Sequence, residues 1–229
     1  MKRSLLILMF LVTSLLAAQG NDISFSQALN VHLPKYIQDV EKAIIHKEKD
    51  TINHLFNHLV ESKLVGTHFD DFQSNSLGKK NISFSKFEKP VLLITYSAWS
   101  VPSKGELPAL NELAKEYGDQ IDMVLLFWSD QKTARKIAKK YHHKIKIRYV
   151  DDRDNKNTQI IRNLKHSLGL PLIFSISSKE EVINIEKRIV NKLHEPVEDS
   201  YLQNMELYQS SIQRLLPNEL ISSVTIGVK

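Results

Sequence analysis

The chain has 229 residues, 42% of them hydrophobic and 25% charged, proportions that suit one compact domain with additions. Its formal net charge is +5, of which Lys2 and Arg3 supply two, and so mild an excess makes no global case for nucleic-acid binding. It contains no cysteine, which excludes disulfides, thiolate nucleophiles and cysteine-ligated metals.

Residues 1–20, MKRSLLILMFLVTSLLAAQG, place a basic pair before an apolar run that ends in small residues. That is the order of a secretory signal, and the run is short of the ~20 residues a membrane span needs. Cleavage after Ala18 or Gly20 fits, and the expected destination is periplasmic or secreted, with an N-terminal membrane anchor as the lesser alternative.

Residues 21–63 read as an N-terminal helical segment. Within it, residues 36–62 form one long amphipathic stretch, with Ile37, Val40, Ile44, Ile52, Leu55 and Leu59 on one face and Pro34 just before it. From residue 64 the rhythm becomes turn-rich, punctuated by Gly66 and Gly78, with Ile82-Ser83-Phe84 as a short strand. VLLITYS (91–97) and IDMVLLFW (121–128) are continuous apolar runs suited to buried strands, and residues 102–118 between them read as a helix stopped at Tyr117-Gly118. A helix over 133–142, a strand over 145–150 and a helix over 157–169 follow. Residues 171–177 and 181–186 form an antiparallel hairpin. Apolar residues at 201, 205, 208, 212 and 215 mark a C-terminal helix. The fold class is therefore α/β: a mixed sheet with helices on both faces, and N-terminal and C-terminal helical extensions. The domain runs over 64–192 and the C-terminal extension over 193–229.

Several segments in this order resemble the thioredoxin fold, and within it the exported TlpA-like thiol–disulfide oxidoreductases. Val65-Gly66 and Phe72 match that family's opening; Gly78-Lys79-Lys80 with Ile82 to Phe87 match its hairpin; Pro90 to Leu93 lead into its core strand. Trp99-Ser100-Val101-Pro102-Ser103 stands where the family has W-C-x-P-C. Glu106-Leu107-Pro108 matches the helix that follows, and Gly169-Leu170-Pro171 stands where the family has its cis-proline loop.

In such an oxidoreductase a helix N-terminus stabilises the first thiolate, and the second cysteine resolves the mixed disulfide. Serine does neither near neutral pH. Ser100 and Ser103 are expected to serve as helix-capping and local hydrogen-bonding groups, and Pro108 to bend the helix it interrupts. No G-x-S-x-G elbow accompanies them, so serine-hydrolase chemistry is disfavoured. The resemblance also implies a shallow groove in which the backbone before the cis-proline pairs with an extended peptide. Trp99, Val101, Pro102, Leu170 and Pro171 would line it.

Other candidates carry less. His54 and His58 have the four-residue spacing of a helical metal pair but no acidic or thiol partner, and His142-His143 diverge on a helix. Asp151, Asp152 and Asp154 lack the spacing and glycine of a calcium loop. No metal or cofactor is implied. Residues 131–149 hold eight Lys or Arg and no acid; this basic helix, 132–148, is a solvated face or a surface for an anionic partner, without the aromatic interleaving of a nucleic-acid platform. The expectation is a protein without dithiol chemistry that binds extended polypeptide or envelope proteins. Alternatives are an auxiliary partner of a cysteine-bearing redox enzyme, and a structural oligomer built by the terminal helices.

Overall fold

The computed structural model describes residues 23–97, 101–151, 153, 159–189 and 194–216. Helix α1 (Phe25–Ile45) opens it with a capping box: the Ser24 hydroxyl accepts from the Gln27 N–H at 3.3 Å, and the Gln27 side chain accepts from the Ser24 N–H at 3.2 Å. Pro34 lies inside this helix rather than before it. After a break at Lys47, whose φ is 59°, helix α2 (Lys49–Leu59) runs into a π-turn, Val60–Leu64. The single helix expected over 36–62 is thus two helices. The face expected to be buried is displaced in part: Leu59 is buried as expected, but Ile37 and Ile44 are exposed, and Phe25, Ala28, Leu29, Ala43 and Phe56 are buried instead.

A two-stranded ladder, β1 (Gln73–Ser74) and β2 (Ile82–Ser83), precedes the main sheet. The sheet contains β3 (Val91–Ser97), β4 (Asp122–Trp128), β5 (Lys146–Val150), β6 (Leu172–Ile176) and β7 (Val182–Lys187), in the order β5-β4-β3-β6-β7. The β3–β4 and β4–β5 pairs are parallel, and β3–β6 and β6–β7 antiparallel. Helices α3 (Glu106–Tyr117), α4 (Gln131–Ala138) and α5 (Gln159–Arg162) connect the strands, and α6 (Val197–Gln213) closes the described chain. This is the mixed α/β, thioredoxin-like architecture expected from the sequence, with helical N- and C-terminal regions.

The sheet is apolar on both sides because alternate side chains enter different cores. Leu93, Val124, Leu126 and Phe174 pack with Phe25, Leu29 and Leu64 from the N-terminal helices and with Phe69 and Phe84. Leu92, Ile94, Leu125 and Phe127 pack on the other side with Leu110, Leu113, Tyr208 and Ile212, from α3 and α6. The terminal helices therefore supply residues to both cores. Among the described residues, no helix is long and apolar enough to cross a membrane.

Candidate functional site

The turn of interest leaves the C-terminal end of β3. Ile94 pairs with Ile173, and the Thr95 hydroxyl accepts from the Leu172 N–H at 3.1 Å. That register brings Pro171 to the end of β3. The Leu170–Pro171 peptide bond is cis. Gly169 precedes it at φ +83°, a conformation that favours glycine.

Of the residues expected at this site, Trp99 and Ser100 lie outside the described residues. Val101 and Pro102 are exposed, Leu170 and Pro171 half-buried, and Ser103 buried. Helix α3 begins at Glu106 with Gly105 at its N-cap, so Ser100 is not the cap of this helix, a correction to the sequence expectation. Pro108 also differs from expectation. It falls in the first turn, where an N–H has no intrahelical acceptor, so it breaks no hydrogen bond there.

Glu106, fully buried, organises the interior of the turn. Its Oε2 accepts from the Ser103 N–H at 3.2 Å. Its Oε1 accepts from the hydroxyl of Tyr208 at 2.8 Å and from that of Tyr96. Arg188 Nη1 lies 3.3 Å from the same oxygen. The Arg188 guanidinium also stacks 4.7 Å from the centre of the Tyr96 ring and donates through Nη2 to the Val101 carbonyl at 3.1 Å. Its backbone N–H donates to the Pro171 carbonyl at 3.4 Å. One residue just beyond β7 thus braces the motif turn, the buried carboxylate and the cis-proline loop.

Helix α6 closes the interior side. Asn204 Nδ2 donates to the Ser103 hydroxyl at 2.8 Å, and the Ser200 hydroxyl accepts from the Gly105 N–H at 3.1 Å. The helices meet so closely that a Cβ on Gly105 would stand 2.1 Å from the Tyr201 backbone nitrogen. Burial pushes the hydroxyl pKa values of Tyr96 and Tyr208 well above the usual tyrosine range, and the Glu106 charge pushes them the same way. Burial disfavours the Arg188 charge, but Glu106 and the two tyrosines more than offset this and raise its pKa.

The arrangement can order backbone and hold a charged pair away from water. The hydrogen bonds that hold Ser103 come from Asn204 and go to Glu106, and neither group is placed as a base for a serine nucleophile. Glu106 is identified in the sequence as a motif residue, but its partners Arg188, Tyr96, Tyr208 and Asn204 are not. The available signal is the spacing of Ser200, Asn204 and Tyr208, which lie four apart on one helix face.

The remaining candidates sit elsewhere. The His54 and His58 rings are 6.5 Å apart on the exposed side of α2. Asp151 holds Arg153 through two side-chain bonds, at 2.9 and 2.7 Å. This pair lowers the Asp151 pKa to about 2. Asp152 and Asp154 lie outside the described residues.

No curated protein matches the chain. Solved structures similar to it include three proteins of low identity. One is a putative thiol:disulfide interchange protein DsbE from Chlorobium tepidum, with 18% identity, TM-score 0.45, and coverage of 63% of this chain and 96% of that one. Another is the thioredoxin domain of a thiol-disulfide oxidoreductase from Bacteroides vulgatus, with 15% identity, TM-score 0.47, and coverage of 63% and 96%. A third is a thio-disulfide isomerase from Thermus thermophilus, with 17% identity, TM-score 0.45, and coverage of 62% and 95%. The AhpC/TSA family pattern matches residues 65–185, more than half of the sequence, and the chain belongs to the AhpC/TSA family.

Proposed function

We propose that this chain is an exported thioredoxin-like protein that has no dithiol chemistry and binds extended polypeptide in the cell envelope through the outer face of its motif turn. One observation carries the reading: the turn is built with two unlike sides. Ser103 is buried and hydrogen-bonded from within, whereas the neighbouring Val101 is 68% exposed. A large apolar side chain held open to water on a braced turn is suited to a ligand contact. Leu170 and Pro171 are half-buried at the same end of the sheet and would form the opposite wall, while Trp99 and Pro102 belong to the same stretch. The absence of cysteine leaves binding as the use of this groove.

The test is selection of extended peptides from a random library by the mature chain, by Val101→Asp and by Leu170→Asp, all checked for native circular dichroism. Peptides enriched by the parent and lost from both variants support the groove. Equal enrichment by all three overturns it.

A second reading rests on a different surface. Helix α1 exposes Val31, Ile37, Ile44 and Ile45, with Val31 at 71% and Ile45 at 74%, an apolar set that an oligomer of this chain would cover. Sedimentation equilibrium of the mature chain and of Val31→Glu/Ile45→Glu decides it. A parent oligomer dissociated by the variant supports this reading, and a monomeric parent removes it.

A further inference from the structure

A cavity lies between the β1–β2 ladder and the edge strand β5. The ladder is pinned there by reciprocal backbone hydrogen bonds between Asn75 and Tyr149, at 2.9 and 2.8 Å. Gln131 Nε2 fixes the intervening turn by donating to the Leu77 carbonyl at 3.1 Å. The space left between these attachments is about 620 Å³, within the ~300–1,000 Å³ typical of small-molecule sites.

Its walls combine two chemistries. Leu77, Ile82, Ile145 and Ile147 make an apolar lining, while Lys79, Lys86, Lys146 and Arg148 bring four cations to it. No Asp or Glu lines the cavity among the described residues. Lys146 is matched from outside by Asp122 at 2.8 Å. Arg148 stacks 5.3 Å from the centre of the Phe87 ring, yet its buried Nη1 has no hydrogen-bond acceptor. Burial lowers its pKa more than Asp122 restores it. A cation that is partly buried and incompletely compensated favours an anion nearby, and Arg148 is a lining residue of the cavity.

We propose that this cavity binds a small anionic amphiphile, its unbranched apolar chain against Leu77, Ile82, Ile145 and Ile147 and its phosphate or carboxylate head against Arg148, Lys86 and Lys79. The apolar wall alone would accept a neutral chain, and the cations alone a free anion; only a molecule carrying both groups satisfies both walls. The basic run across 132–148 adds a favourable field around the entrance.

The test is isothermal titration of the mature chain at low salt with dodecyl phosphate and with laurate, each below its aggregation concentration. A neutral sugar-headed amphiphile of the same chain length and inorganic phosphate serve as the other arms. Saturable one-to-one binding of dodecyl phosphate or laurate is expected, with the comparison of the two identifying the preferred head group. Inorganic phosphate and the neutral amphiphile should each bind at least about tenfold more weakly, the loss of one of two matched contacts. Lys79→Gln/Lys86→Gln, which touches only exposed side chains, should weaken binding by a similar factor, and Arg148→Gln by more. Equal binding of the neutral amphiphile, equal binding of inorganic phosphate, indifference to the lysine variant, or no saturable binding of either anionic amphiphile each overturns the proposal.

Discussion

Arg188 and Glu106 form an ion pair with 3.3 Å between Nη1 and Oε1, and their side chains are only 3% and 0% exposed. Such a pair is stable only when both groups are hydrogen-bonded, because each loses its hydration. Here the carboxylate has two tyrosine hydroxyls and a backbone N–H. The guanidinium has the Val101 carbonyl and a tyrosine ring face.

Removing one member should therefore cost more than removing both. Arg188→Met leaves Glu106 buried without its cation, and Glu106→Gln does the reverse; each should destabilise the fold by about 3–5 kcal/mol. The double variant should fall well short of the sum. Urea unfolding of the four proteins measures this, and additive losses would mean that the pair is not coupled.

Close approach of α3 and α6 gives a second outcome. Gly105 has φ of −90°, so alanine is permitted by the backbone there. Its Cβ would nevertheless meet the Tyr201 and Ser200 backbone, which no side-chain rotation can move. Gly105→Ala should lose about 1–3 kcal/mol or more through overpacking. Gly78→Ala, with nothing within 4 Å of the added Cβ, should be close to neutral. Equal midpoints for the two in urea would show that α6 moves away freely.

The buried tyrosines make an alkaline prediction. In the folded chain Tyr96 and Tyr208 have raised pKa values, from burial first and from neighbouring charge second. Unfolded tyrosine ionises near pH ~10. A raised folded value means that stability is full below that pH and falls as the pH rises above it. Absorbance titration at alkaline pH should leave these two unionised until the chain unfolds. Tyr208→Phe should flatten the fall in stability.

An acid prediction follows from Asp151. Arg153 hydrogen bonds hold its pKa at about 2, below the ~3.9 of an unfolded aspartate. Its contribution is present above the unfolded value and lost as pH falls through about 2. Arg153→Ala should reduce the acid dependence of unfolding between roughly pH 4 and 2. An unchanged profile would remove the pair from the account.

Much of the fold is legible because the sheet is buried on both sides. VLLITYS and IDMVLLFW are apolar at most of their buried positions, Thr95 and Asp122 being the polar exceptions, and short continuous apolar runs of this kind suit strands buried on both faces. The N-terminal region is less legible. Its apolar residues recur around the helices rather than on one stripe, and the break at Lys47 lacks glycine or proline. Pro34 suggests a helix start, yet tertiary packing by Leu33 and Tyr36 carries α1 through it. The site is half legible for a different reason. Val101, Pro102, Leu170 and Pro171 lie in a motif, whereas Ser200, Asn204 and Arg188 are polar residues that usually face water. Their burial depends on partners distant in sequence, which periodicity does not reveal.

Ser103 is sealed behind Asn204 and α6, while Val101 faces outward. Because the chain has no cysteine, Ser103→Cys supplies a single reporter, and its rate of maleimide labelling in the full native chain is the most direct measurement. Labelling of Ser103→Cys should be at least about a hundredfold slower than that of Val101→Cys, limited by opening of α6, and faster when Asn204→Ala is added. Labelling of the two cysteines at equal rates under native conditions would contradict that seal.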